Sequence, residues 1–289
     1  MASPPTPSAP APRLRLPRWG DLCTTDFAAL DPARTVAVLP LAATEQHGPH
    51  LPLSVDADIL DGVLDAAAPH LPGDCPVWLL PPQAVGLSPE HQRFPGTLTL
   101  GLDTLVRLWC DLGASVARAG VRKLLLFNTH GGHTGAMDVV GRELRSRHDL
   151  LVYSASWFNL PLLDEQGQDL NARIPAEEHR FGIHGGQVET AMMLALRPEL
   201  VRRQHARDFA STSRDRSRQC PLLGNGRSAK LAWQTQDYNP QGAVGNAAAA
   251  DADLGRALVD AAGRGLAQLL REFSALPLST LVDGPAFLD

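Results

Sequence analysis

The sequence predicts an α/β protein, a three-layer α/β/α sandwich with a mainly parallel sheet. Two observations predict it. First, short apolar runs at residues 35–41, 77–80, 123–127 and 151–155 alternate with longer segments of helical periodicity. Second, two of those runs break off into polar loops rich in histidine and acid, at 45–56 and 128–134. In sheets of this kind functional groups collect beyond the carboxyl ends of the strands.

In chain order, residues 1–17 are rich in proline and small residues and predict a disordered arm, leaving 18–289 as one domain. Trp19 to Leu30 predicts a short helix on the body. Thr35 to Leu41 predicts a buried strand. After the polar loop, Ile59, Leu60, Val63, Leu64 and Ala67 recur at helical spacing, with Asp56 at the helix start, where Asp is also a favoured N-cap. A strand at 77–80 closes at Pro81-Pro82, and a polar, turn-rich loop spans 86–97. A helix over 102–119 stops at Gly120, and the strand 123–127 runs into Asn128-Thr-His-Gly-Gly-His-Thr134. A helix to about Arg147 and a strand over 151–155 follow. Residues 160–183 read as loop, and His184-Gly-Gly-Gln-Val-Glu189 then leads into an apolar helix through Leu196, stopped before Pro198. Residues 202–230 read as a long excursion at the pocket rim or a subunit contact. Ala247 to Phe273 predicts a long helix interrupted at Gly255, Gly263 and Gly265.

The bulk composition excludes several functions. Net charge is −5 with no strongly basic region, which argues against a nucleic-acid partner. No apolar run is long enough to span a bilayer, so no membrane role is expected. The four cysteines form no CxxC pair, which indicates neither a zinc ribbon nor a redox motif. With no apolar signal core at the N-terminus, a cytoplasmic location is expected.

The chemistry lies in the polar loops. Glu45, His47, His50 and Asp56 fall within twelve residues, and carboxylates with imidazoles are what Zn²⁺ or Mn²⁺ accepts. Gly48, Pro49 and Pro52 keep the segment out of a helix, so Glu45 and His47, two apart on an extended chain, point into one pocket. With His130 and His184/Glu189, three loops converge. Such a set suits two cations bridged by a shared carboxylate, with a bridging hydroxide as nucleophile, and Asp56 is the bridging candidate. Bland readings compete. His50 suits a hydrogen-bonded structural role. His91, next to Glu90, suits a place behind the ligands or at the substrate mouth. His133 suits a supporting residue or an alternative ligand. Glu189 suits a helix N-terminal acid favoured by the dipole. Met192 and Met193 suit the core. The Gly-rich turn after His130 lacks the Lys-Ser/Thr ending of a phosphate loop.

Four motifs carry a resemblance: Glu45-Gln-His-Gly-Pro-His-Leu-Pro-Leu followed by Asp56; Glu90-His-Gln-Arg-Phe-Pro-Gly-Thr97; Asn128-x-His130-Gly-Gly; and His184-Gly-Gly-x-x-Glu-Thr190. Their order and spacing, from about residue 18 to 273, resemble the creatininase (creatinine amidohydrolase) family, as does Gly242-Ala-Val-Gly245, the family's late glycine turn. The resemblance implies two divalent metal ions, Zn²⁺ and/or Mn²⁺ with Fe²⁺ as a further option. It makes Glu45, Asp56 and His130 ligands of one ion, His47 and Asp56 ligands of the other, and His184 the general acid/base. In creatininase proper a glutamate two residues after the His130 equivalent completes the second ion's shell. Here that place is Gly132, and Glu189 is the candidate replacement, as metal ligand and catalytic residue. Two further departures are His133 for the usual asparagine and Arg180 for a creatininase tryptophan, whereas Trp157 falls about where the family's other tryptophan does.

The implied function is metal-dependent hydrolysis of a C–N amide bond in a small-molecule amide substrate, by a homo-oligomer that the resemblance makes a hexamer. A peptidase or formamide deformylase is the alternative within the family. A non-catalytic metal- or ligand-binding regulator on the same fold is the alternative outside enzymes.

Overall fold

The computed structural model describes residues 15–288. Its centre is a four-stranded parallel sheet made of β1 (Val36–Leu41), β2 (Val77–Leu79), β3 (Lys123–Asn128) and β4 (Leu151–Ser156), in the order β2-β1-β3-β4. β1 and β3 lie side by side, in register from Val36 opposite Lys123 to Leu41 opposite Asn128. Every residue of both strands is buried, which is why the sequence shows unbroken apolar runs instead of alternation. Alternate side chains feed two cores. Val36, Val38, Leu125 and Phe127 enter one, and Ala37, Leu39, Leu124 and Leu126 the other.

The helices cover both faces. α1 (Val55–Ala67) packs on one side, while α2 (Leu102–Arg118) and α3 (Thr134–His148) pair on the other. After β4 come the short α4 (Ala176–Phe181) and α5 (Gln187–Leu196). β5 (Asp208–Phe209), α6 (Ser213–Gln219), α7 (Thr235–Tyr238) and β6 (Gly245–Asn246) follow, β5 pairing antiparallel with β6. The last long helix is α8 (Ala252–Ala275), which packs with α1 and α5 as the third layer. The three-layer α/β/α architecture read from the sequence is the one observed.

The differences are local. Trp19 to Leu30 forms two 3-10 turns, Trp19–Asp21 and Asp26–Ala29, instead of a helix. The 160–183 stretch read as loop contains α4, and the 202–230 excursion contains β5 and α6. Of the arm expected over 1–17, residues 1–14 lie outside the described residues. From Arg15 the chain is docked: Leu16 is buried, and the Pro17 carbonyl accepts the Leu79 N–H (2.9 Å).

α8 is unbroken, contrary to the interruption expected at its glycines. Gly255 and Gly263 are contact points, not breaks. A Cβ at Gly255 would lie 1.9 Å from the Ala191 carbonyl oxygen of α5, and one at Gly263 would lie 2.6 Å from the Ala66 Cβ of α1. Helix propensity lost at these positions is offset by close interhelical approach. Gly255→Ala is therefore expected to force α8 away from α5 and to destabilise the fold by about 1–3 kcal/mol, the usual range for overpacking. An unchanged denaturant midpoint in that variant would show that the interface is not rigid there.

Candidate functional site

The order β2-β1-β3-β4 reverses direction between β1 and β3, and a crevice opens beyond the carboxyl ends of two strands that diverge in this way. Glu45 and His47 leave the end of β1, and His130 leaves the end of β3. Thr129 clasps the crevice shut at its base. Its hydroxyl lies against two carbonyls, Asp56 at 2.8 Å and Leu41 at 3.2 Å, and so ties β3 to β1 and to the first turn of α1.

Asp56 does not cap α1. Ser54 holds the N-cap position, and Asp56 is the second residue of the helix, with its side chain buried. His184 is fixed by the late glycine turn. Its backbone pairs with Val244 in both directions, N–H to carbonyl at 3.2 Å and the reverse at 2.6 Å, and Gly242 and Gly245 adopt positive φ (86° and 140°) to let that turn form. The buried carboxylate of Glu178, on α4, accepts the N–H groups of Gln187 (2.7 Å) and Asn246 (2.8 Å) and welds this turn to the start of α5.

These elements bring all six predicted side chains together. Among the described residues three donor groups form, each with its atoms within 4.8 Å of one another: Glu45/Asp56/His130, His47/His184/Glu189 and Glu45/His91/His184. One atom is common to much of the site. Glu45 Oε1 lies 3.2 Å from His130 Nδ1, 3.3 Å from His91 Nε2, 3.7 Å from His184 Nδ1 and 3.9 Å from His47 Nε2. His47 Nε2 also lies 3.9 Å from Glu189 Oε2, which accepts the Gly185 N–H (2.5 Å).

Hydrogen bonds assign the ring tautomers. His47 Nδ1 donates to the Glu45 carbonyl (3.0 Å) and leaves the Nε2 lone pair inward. His130 Nε2 donates to the Leu87 carbonyl (3.0 Å), which turns Nδ1 toward Glu45 and Asp56. His184 Nε2 donates to the Gln46 carbonyl (2.6 Å) and keeps Nδ1 for the site. The Gln46 amide, oriented by the Gly48 N–H on its oxygen (3.0 Å), lies 2.8 Å from His91 Nδ1, and the Thr235 hydroxyl lies 2.7 Å from the same nitrogen, which leaves His91 Nε2 facing Glu45.

The remaining histidines serve the scaffold. His133 Nδ1 donates to Asn128 Oδ1 (2.9 Å) and Nε2 accepts the Leu87 N–H (3.0 Å), so neither nitrogen is free for a cation and the alternative-ligand reading falls. His50 Nε2 meets the Thr190 hydroxyl (2.9 Å) and its ring stacks on Phe209, in line with the structural role expected of it. His91 stands closer in than a residue at the substrate mouth. Spacing alone could not place it, because three separate loops converge on its ring.

Burial governs the charges. His47 and His184 are each pushed down to about 4 by desolvation, and His91 is pushed well down. Desolvation opposes protonation of His130 too, yet Glu45, Asp56 and Glu90 outweigh it and raise the ring to about 10. Burial also raises Asp56, Glu90 and Glu189, whereas Glu45 is held low, against its desolvation, by His130 and its other imidazoles.

Two cavities meet here. One, of about 370 Å³, includes Trp157, Phe158, Ile174 and Val188 in its lining. The other, of about 490 Å³, includes Glu45, Asp56, Glu90, His91, Leu231 and Trp233. Gly131, Ile183, His184 and Glu189 line both.

The family model described as creatinine amidohydrolase matches residues 20–270. The chain belongs to the creatininase family. A mycofactocin precursor peptide peptidase of Mycobacterium ulcerans (strain Agy99) is 35% identical over 192 residues, 65% of this chain and 68% of the relative. One from Mycobacterium tuberculosis (strain CDC 1551 / Oshkosh) is 34% identical over 200 residues, 67% and 71% of the two chains. The creatinine amidohydrolase of Pseudomonas putida is 29% identical over 187 residues, 57% and 66%. Among solved structures, a creatinine amidohydrolase (creatininase) superposes with a TM-score of 0.65 at 24% identity, covering 89% of this chain and 98% of that one. This creatininase-family chain is thus a hydrolase of amide-type C–N bonds.

Within the cluster, three of the buried atoms that lack a hydrogen-bond partner come together: Glu45 Oε2, His47 Nε2 and Asp56 Oδ2. All three are acceptors, and buried acceptors without donors are costly. The donor set therefore fits a divalent cation.

Buried neutral histidines also set an acid limit. His47, His50 and His184, near 4 in the fold against an ordinary 6.5, bind protons between pH 6.5 and 4 only when unfolded. Stability present above about pH 6.5 is lost as pH falls through that window. His130, raised to about 10, works in the opposite sense: its contribution is complete below pH 6.5 and lost as pH rises toward 10. Metal-free protein is expected to melt highest near pH 6.5. A melting temperature flat from pH 4 to 9 would show that these rings are solvated.

Proposed function

We propose that this chain is a two-metal amidohydrolase that cleaves an amide bond within an extended, peptide-like substrate. The observation that carries the reading is the meeting of the two cavities at the cluster. A scissile carbonyl held between His184 and Glu189 has room on both sides, one side lined by Trp157, Phe158 and Ile174 and the other by Leu231 and Trp233. A small cyclic amide needs only one of them. Arg180, in place of a creatininase tryptophan, is exposed with its guanidinium over Phe181, so it supplies no ring to close over a flat heterocycle. The stronger likeness to peptidases points the same way.

Glu45, Asp56 and His130 would hold one ion, and His47, Asp56 and Glu189 the other, with Zn²⁺ and Mn²⁺ the candidate metals. When bound, such ions supply Lewis acidity at the substrate carbonyl and bring the pKa of water toward ~7. The chain's own residues do the rest. His184, its Nε2 proton committed to the Gln46 carbonyl, has Nδ1 to take a proton in the attack and return it to the leaving amine. Glu189, anchored on the Gly185 N–H in the first turn of α5, fixes a negative charge opposite His47. Trp233 and Leu231 limit the access of water on one side of the cluster.

A cytoplasmic location suits four unpaired cysteines. Among the described residues no helix is long and apolar enough to cross a membrane. A homo-oligomer, a hexamer by family resemblance, suits the exposed Leu222 and Leu223 of the 202–230 excursion. Light scattering is expected to give a multiple of the 31.0 kDa chain mass, and a monomer would remove the subunit-contact role.

The test of function is a panel of lactams, formamides and short peptides offered to the metal-loaded protein. Peptides are expected to be cleaved fastest, and Glu45→Gln and Asp56→Asn to lose metal and roughly 100-fold or more in turnover. Creatinine as the best substrate would overturn the peptide assignment. Full metal content in both variants would overturn the site.

A further inference from the structure

Glu90 is used by nothing described so far. It lies in the 3-10 turn Pro89–His91, on the loop between β2 and α2, and its side chain is only 13% exposed. Its carboxylate is not turned to solvent but into the cavity shared with Glu45, Asp56 and His130. Oε1 stands 3.5 Å from His130 Nε2, the ring nitrogen facing away from Glu45 and Asp56, beside the Leu87 carbonyl that accepts its proton (3.0 Å) and the Ser88 hydroxyl (3.4 Å).

Gly132 makes this approach possible. A Cβ built there would lie 2.4 Å from His130 Nε2, 2.5 Å from Glu90 Oε1 and 2.9 Å from the Leu87 carbonyl oxygen. Any side chain at 132 would occupy the notch where the outer edge of the ring, the carboxylate and that carbonyl meet. A side chain at position 132 and a carboxylate behind His130 are mutually exclusive in this arrangement.

We infer that Glu90 is a positioning residue for the metal centre, a carboxylate whose charge stands behind the outer N–H of His130, which the Leu87 carbonyl accepts, and so helps to aim Nδ1 at the cation. The glycine at 132 leaves room for it. A negative charge behind an imidazole fixes its tautomer and orientation and makes the inner nitrogen a stronger donor, and removing such a partner typically costs 10–100-fold in metal affinity. Thr235 holds the turn in place: its hydroxyl donates to the Glu90 carbonyl (2.9 Å). α7, and with it the rim that carries Trp233, is therefore coupled to the side chain that orients a ligand.

The inference rests on the metal reading above, and the experiment separates the two. Zn²⁺ affinity is measured by chelator competition for the wild type and for Glu90→Ala, Glu90→Gln, Gly132→Ala and the double variant Glu90→Ala/Gly132→Ala. The cobalt-substituted proteins are followed by proton NMR for the exchangeable imidazole N–H of His130. Glu90→Ala is expected to bind 10–100-fold more weakly at unchanged stoichiometry, with faster exchange of that proton. Glu90→Gln, which keeps an acceptor oxygen and the side-chain volume, is expected to lose less than tenfold. Gly132→Ala should match Glu90→Ala, and the double variant should be no worse than either, because both break the same contact. No zinc binding by the wild type would sink the metal reading itself. With the wild type loaded, affinity within twofold of it in both Glu90 variants would overturn the inference. So would additive losses in the double variant, or the disappearance of a whole ion equivalent in Glu90→Ala, which would make Glu90 a ligand.

Discussion

The site depends on one buried carboxylate oxygen. Glu45 Oε1 has four imidazoles within 3.9 Å, and the residue is 1% exposed. Burying a carboxylate in this way costs several kcal/mol unless opposite charge is supplied. Burial keeps His47, His91 and His184 neutral, so His130 is the one imidazolium that faces Glu45, Asp56 and Glu90 together. Glu189 adds a further acid on the far side of His47. Three buried acceptors of the cluster, Glu45 Oε2, His47 Nε2 and Asp56 Oδ2, are left without a hydrogen-bond partner, and they make the pocket a receptor for cations. The parallel sheet, the Thr129 clasp and the late glycine turn hold those acceptors together.

The strands were legible in the sequence because both faces of β1 and β3 are covered, so burial alone writes an unbroken apolar run. Glu45, His47 and His130 were legible for a related reason: each follows directly on such a run, and a change from apolar to ionisable at a strand end is visible locally. What escaped detection was set by long-range contacts. Gly255 looks like a helix breaker until α5 is placed against it. Glu178 looks like one acid in a polar loop until the backbone N–H groups of Gln187 and Asn246 arrive at its carboxylate. His91 is drawn beside Glu45 by Gln46, and no spacing rule connects residues 45 apart in that way.

Histidines of similar sequence context divide by what their nitrogens already hold. His47 and His50 are three residues apart in one polar loop. The first spends its outer nitrogen on the Glu45 carbonyl and keeps the inner one free, whereas the second turns to Thr190 and stacks on Phe209. His130 and His133 part in the same manner, with Asn128 taking the Nδ1 proton of His133 and holding the backbone of His130 through its N–H (3.1 Å) and carbonyl (2.6 Å). His133 thus has no nitrogen free for a cation. It braces the loop that carries His130, and its edge-on contact with Trp109 ties that loop to α2.

The cluster and its surroundings come from different parts of the chain, and this division has a functional consequence. Donor atoms issue from the ends of β1 and β3, the start of α1 and the start of α5, all of them anchored in the two cores. The cavity walls come from Trp157 and Phe158 after β4, from Ile183, and from Leu231, Ala232 and Trp233 just before α7. Phe158, Ile183, Leu231 and Trp233 supply none of the clustered donor atoms, so the wall can change without removing one. Contact between the two runs through Thr235, whose hydroxyl donates to the Glu90 carbonyl, and through Glu90, 3.5 Å from His130. A substitution at Thr235 is therefore felt at the cluster, whereas one at Phe158 has no such path.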